Sequence, residues 1–279
     1  MIMATIKISE EQLKRTLSLK LVNCNSFVGT LYKYMPASRV LDILEKEPHQ
    51  IGFVYPEKWY DPYETKYLNT DYSALNGYKQ PLIYCFCTMM DNRNEEASWK
   101  IYKKKDEPLM RLSIKTIDFL MSLDKFAREK DCDIYFSKVD YRLKRNEIDG
   151  LCLKSSPYYR EFFNHFDDEQ YVRIMSLKRW AFGYENEYRL FVIPRNKDKV
   201  VDYLQDGVLH IPVPIEMITR FTFYPASKSG EGLASQIEKA KYEAEFKLIK
   251  ERIKSSYPNA NVYRSNLYSS VKKVEKIEV

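Results

Sequence analysis

The chain is poor in glycine, with eight among 279 residues, and has no glycine- or serine-rich stretch that could serve as a linker. It has no internal repeat and no low-complexity tract, so one folded domain is a simpler reading than a string of modules. No apolar run approaches the roughly 20 residues that a membrane helix needs, and residues 1–10 lack the charged-then-apolar layout of a signal peptide. A cytoplasmic location with no membrane partner is the expectation. Histidine is scarce: His49, His165 and His210 lie far apart, and neither Cys-x-x-Cys nor His-x-x-x-His spacing occurs, so no metal is expected. The same scarcity gives little support to a Ser-His-Asp or Cys-His nucleophile. The cysteines, Cys24, Cys85, Cys87, Cys132 and Cys152, are odd in number and scattered, with Cys85-Phe86-Cys87 inside an apolar run, which suits reduced core thiols. No Gly-x-x-x-x-Gly-Lys or Gly-x-Gly-x-x-Gly occurs, which argues against a P-loop or Rossmann site.

What is present is hydrophobic residue enough for a real core, 44% of the chain, and a modest formal charge of +6 that is unevenly placed. Lys100, Lys103, Lys104 and Lys105 form one basic cluster; Lys138, Arg142, Lys144 and Arg145 form another. Either could be a solvated face. Tyrosine is abundant, at 23 residues, and aromatics interleaved with lysine and arginine suit stacking on single-stranded nucleic acid and neutralising its phosphates.

The pattern along the chain is α+β. Ser9-Glu10-Glu11-Gln12 resembles a capping box that opens a helix running to about Lys20, within an N-terminal arm over residues 1–29. A single compact domain follows over residues 30–279. Its expected strands are Thr30 to Tyr34, Ile51 to Tyr55, Leu82 to Thr88, Met110 to Ile114, Ile134 to Tyr141, two short ones within residues 208–224, and Asn261 to Arg264. Helices are expected at Ser38 to Glu47, Thr116 to Glu129, much of Tyr158 to Leu177, and Glu231 to Lys254, the last from Tyr242, Phe246, Ile249 and Ile253 at helical spacing. A loop rich in Tyr, Asn and Asp reaches from Trp59 to Gln80 without an apolar period and could lie over a site. Asp61-Pro62 within it reads as a structural turn.

The most informative stretch is Trp180 to Val192. If residues 185–192 are extended, Glu185, Glu187 and Arg189 share one face at intervals of roughly 7 Å. Two carboxylates beside a guanidinium suit chemistry in which cation character develops on a sugar. The alternative is a solvated strand face on which Arg189 neutralises a neighbour. Trp180 is expected in the core.

Several segments in order, Leu31-Tyr32-Lys33-Tyr34, Pro56 through Glu64, Tyr84-Cys85-Phe86, Trp99-Lys100-Ile101-Tyr102, Val139-Asp140-Tyr141 and Trp180 through Leu190, resemble a large prokaryotic family. Its members carry K-Y, F-N-D-P-F-E, C-F-S, W-x-x-Y, V-x-Y and W-x-x-E-x-E-Y-R in that order, and the likeness spans roughly residues 30–265. This chain has Trp59-Tyr60 where the family has Phe-Asn, and Cys87 where it has Ser. The family is distantly similar to ADP-ribosyltransferases of toxin or phage-defence type.

The resemblance implies a central, mostly antiparallel, split sheet flanked by helices, and NAD as co-substrate. It implies that Lys33, in place of the Arg or His usual there, stands with Tyr34 where the adenosine ribose is held. Tyr55 would lie near the second-strand position, and Trp99, Tyr102 or Tyr34 would stack on nicotinamide unless they are core. Glu187 or Glu185 would bind the nicotinamide ribose and stabilise its cation, with the other carboxylate orienting or deprotonating the acceptor and Arg189 on the same wall. The acceptor would be nucleic acid, RNA above single-stranded DNA, or protein, with Lys103, Lys104, Lys105, Arg142, Lys144 and Arg145 as phosphate contacts. An antitoxin and a chaperone are implied partners. The competing readings are a non-enzymatic single-strand binder and, third, a nuclease.

Overall fold

Apolar residues at both parities along the middle strands require cover on both faces of a sheet, and the protein has it. Residues 16–26, 29–59, 61–90, 95–103, 107–226 and 233–267 are described by the structure, a computed structural model. In chain order the elements are β1 (Leu19–Val22), β2 (Thr30–Pro36), α1 (Ala37–Glu45), β3 (Gln50–Val54), α2 (Pro62–Thr65), β4 (Tyr84–Met89), α3 (Glu95–Tyr102), β5 (Leu109–Lys115), α4 (Thr116–Lys130) and β6 (Cys132–Lys138). Then come α5 (Arg145–Asp149), α6 (Tyr159–Phe163), α7 (Asp168–Met175), β7 (Glu187–Pro194), β8 (Leu204–Gln205), β9 (Val208–Pro212), β10 (Ile218–Phe223), α8 (Leu233–Ser256) and β11 (Val262–Arg264).

Among the described residues the strands form one open sheet, β1-β6-β7-β4-β2-β5-β10-β11, antiparallel except where β1 joins β6 and β10 joins β11. Along β7, Leu190 and Val192 enter the core under α1, α4 and α8, whereas Phe191 and Ile193 enter the core under α7. Successive side chains point to opposite faces, so a run buried on both sides reads as continuously apolar. By the same alternation Glu187 and Arg189 point to the α7 side.

The sheet forks at β4. One edge of β4 pairs with β7 along its whole length, Tyr84↔Val192 through Met89↔Glu187. The other edge meets β2 at Tyr32↔Met89 and β3 at Val54↔Cys85, and β3 continues into β9 and β8 as a second branch. Between these two contacts the Cys87 carbonyl accepts from Lys33 Nζ at 2.7 Å, and the ammonium lies 4.8 Å from the Phe86 ring centroid. A charged side chain thus replaces a ladder bond where the branches part. Lys33→Met is expected to leave that carbonyl unpaired and to cost about 1–3 kcal/mol, read as a fall in the urea midpoint; an unchanged midpoint would show that water replaces the ammonium.

Four local expectations differ from the structure. Leu19–Val22 is a strand beside β6, not the end of a helix, because it can complete the sheet edge; the upstream part of that helix lies outside the described residues. The Tyr-rich loop carries α2 and a 3-10 turn, Lys66–Asn69, and buries Tyr67 and Tyr72. Trp180 is 69% exposed rather than core, since its 3-10 turn, Trp180–Glu185, runs over the surface. All five cysteines are free, but of the expected core thiols Cys85 alone is buried, while Cys24, Cys87 and Cys132 are half-buried and Cys152 is exposed.

Candidate active site

The candidate site is built where β7 begins. Asn186 adopts a left-handed backbone, φ 45° and ψ 51°, which an asparagine tolerates and which ends the 3-10 turn before the strand. The extended stretch therefore starts at Glu187, not at Glu185. Both carboxylates are nonetheless buried, and so is Arg189, with no solvent exposure, so the face is not solvated.

Glu64 and Lys178, neither of them an expected site residue, complete the cluster. Asp61 caps α2, its Oδ1 accepting the Tyr63 N–H at 3.0 Å, and Pro62 occupies the first turn. That single turn aims Glu64 inward. Asp61 is thus the structural turn expected of it, and its Oδ2 also accepts from Arg179, at 3.1 Å from Nη2. Lys178 arrives from the segment after α7, where its N–H donates to the Asp140 carbonyl at 3.0 Å.

Arg189 donates from Nε to Glu187 Oε1 at 2.9 Å, from Nη2 to Glu187 Oε2 at 3.1 Å and to Glu64 Oε2, and from Nη1 to the Met175 carbonyl at 2.6 Å. Its guanidinium lies 4.2 Å from the Trp59 ring centroid, a cation–π roof. Lys178 Nζ lies 2.6 Å from Glu185 Oε2, 3.1 Å from Glu64 Oε1 and 3.4 Å from Glu187 Oε2. Three carboxylates face two cations, an excess of one negative charge away from water.

That excess separates the two glutamates. Burial pushes the Glu187 carboxyl up, but Arg189 and Lys178 more than offset it and leave it at about 2, below its ordinary 4.5. Burial raises Glu185, and Lys178, which supplies its one hydrogen bond among the described residues, does not fully oppose the rise. Glu187 is a fixed anion with both oxygens claimed, whereas Glu185 keeps one oxygen without a hydrogen bond among the described residues and takes a proton more readily. Tyr141 Oη accepts the Glu187 N–H at 3.0 Å, and burial followed by the Glu187 charge drives its phenol pKa upward.

These shifts give a testable acid response. The folded value of Glu187 lies below its unfolded one, so its stabilisation is complete above about pH 5 and is lost as the pH falls through 4.5 towards 2, about 3 kcal/mol by linkage. Glu185, raised in the folded state, acts in the opposite sense and blunts the loss. Urea unfolding between about pH 6 and 3 is expected to show weaker acid destabilisation in Glu187→Gln than in the native chain; equal slopes would exclude Glu187 as the source.

The other expected residues divide. Tyr34 and Trp99 are buried in a separate core cluster, ring centroids 4.8 Å apart and edge-on, and so are core; Tyr102, half-buried, stacks on Tyr34 at 5.6 Å. Burial, followed by the charges of Glu187 and Glu185, raises the Tyr102 phenol pKa. Tyr55 packs against Tyr84, at the end of β4 remote from the Met89↔Glu187 pairing. Lys33 stands in the sheet fork. Among the basic residues, Lys103 is exposed, while Lys104 and Lys105 lie outside the described residues. Arg142 is tied to Asp140 at 2.7 Å and to Glu161. Lys144 and Arg145 are exposed at the start of α5.

Among the described residues no group of His, Cys, Asp and Glu is arranged to hold a metal ion, and no helix is long and apolar enough to cross a membrane. No family model, curated protein or solved structure matches this chain.

Proposed function

We propose that the protein is an ADP-ribosyltransferase that uses NAD, with Glu185 as its reacting carboxylate and Glu187 as a positioning anion. The observation that supports this most is the asymmetry of the pair: Glu185 and Glu187 share Lys178, Glu187 being saturated by Arg189 and Glu185 having a raised pKa and one oxygen without a hydrogen bond among the described residues. In the reaction the bond between the ribose anomeric carbon and nicotinamide breaks, its electron pair leaving with nicotinamide, and cation character develops on the sugar. The excess negative charge of the cluster stabilises that cation, as carboxylates do in glycoside hydrolysis. The acceptor then forms the new bond to the anomeric carbon and gives its proton to Glu185. The reading carries with it a toxin or phage-defence role and an antitoxin or chaperone partner.

A second reading is favoured by the saturation of Arg189: the five charges are a structural network, and the chain is a non-enzymatic binder. Incubating the full chain with NAD labelled in its adenylate half, together with total RNA, single-stranded DNA or cell lysate, separates the two. Transfer to one acceptor class, lost in Glu185→Gln, supports the transferase. Neither transfer nor nicotinamide release from folded protein leaves the second reading standing.

A further inference from the structure

Beside the carboxylates runs an alternation of cations and rings. Arg145 lies 5.2 Å from the Tyr63 ring centroid, Arg179 lies 4.6 Å from Tyr63 and 4.9 Å from Phe182, and Lys178 lies 5.2 Å from Phe182. Phe182 and Tyr184 follow each other at 6.4 Å on the 3-10 turn that ends at Glu185. Trp180, 69% exposed, and Tyr184, 45% exposed, stand on that turn, and the Trp180 N–H donates to the Leu143 carbonyl at 2.9 Å, fastening it next to Lys144 and Arg145. Lys144 and Arg145 form no ion pair among the described residues, whereas Arg179 is neutralised by Asp61.

From this arrangement we infer that the surface formed by Tyr63, Arg145, Trp180, Phe182 and Tyr184 binds single-stranded nucleic acid and leads it to Glu185. Two large rings presented to water on a pinned turn offer stacking faces to unpaired bases, and unneutralised cations alongside meet the phosphates. A duplex keeps its bases stacked on one another and cannot use such faces. The charge pattern favours a polyanion over an apolar protein partner. That the strand is the acceptor rests on the transferase reading above; that it binds does not.

The test is a fluorescence-anisotropy titration, without NAD, of a single-stranded RNA of about a dozen nucleotides against the full chain. Trp180→Ala and Tyr184→Ala are each expected to weaken binding about 5- to 150-fold, the range of one lost base stack. Arg145→Ala is expected to reduce the salt slope by about 0.7. Tyr263→Ala, another exposed ring on β11 with 48% exposure, is expected to bind as the native chain does. Because the mixture holds no NAD, single-strand binding by a native chain that transfers nothing from NAD would uphold this inference while the transferase reading fails. Absence of single-strand binding, preference for duplex, or binding untouched by the Trp180 and Tyr184 changes would overturn it. So would light scattering that shows self-association abolished by Trp180→Ala, which would make the patch a face between copies.

Discussion

Arg189→Met is expected to lower the stability of the protein by about 3–5 kcal/mol, among the largest effects of any single change here. Arg189 is fully buried and donates to Glu187, Glu64 and the Met175 carbonyl, so its removal leaves three carboxylates facing Lys178 alone. In a chain of this size the loss corresponds to a fall in melting temperature of roughly 6–20 °C. The cost comes from the uncompensated charge, not from the missing side-chain volume. Hence the double variant Arg189→Met/Glu187→Leu should be less destabilised than the sum of its single changes, by more than the 0.5 kcal/mol or so that separates coupled from independent sites. Additive losses would mean that the ion network contributes nothing beyond packing.

The same network shows what could be read from the residues in order. The run Leu190-Phe191-Val192-Ile193 announces a strand covered on both faces, and the helical spacing of Tyr242, Phe246, Ile249 and Ile253 announces α8. The triplet Glu185, Glu187 and Arg189 is visible as a charge pattern, but its burial is not, because exposed charge alternation looks the same. Glu64 is hidden in a loop without period, and it is the cap at Asp61 that turns it inward. Lys178 is one lysine among many; only the pairing of residues 140 and 177 brings it to the site. The fork at β4 depends on contacts between residues about 30 to 60 positions apart, which no local pattern encodes. Trp180, expected in the core, is exposed, because hydrophobicity constrains where residues are found far less than burial constrains what they are.

On the transferase proposal, Glu185→Gln is expected to lower transfer about 10²- to 10⁴-fold, the loss usual for a general base, with little change in melting temperature. Its amide oxygen can still accept from Lys178, so the cluster keeps that hydrogen bond while the carboxylate disappears. Glu187→Gln should instead lose stability as well as activity, because Arg189 would retain one anionic partner in place of two. The pH profile distinguishes the roles further. Activity of the native chain should rise as Glu185 loses its proton, on a limb displaced upward from an ordinary carboxyl by burial. Lys178 is the charge that opposes that displacement, so in Lys178→Met the limb should move to still higher pH. The group that reacts is then identified by the variant that stays folded and stops turning over. A folded, inactive Glu187→Gln beside a Glu185→Gln of native rate would exchange the two assignments.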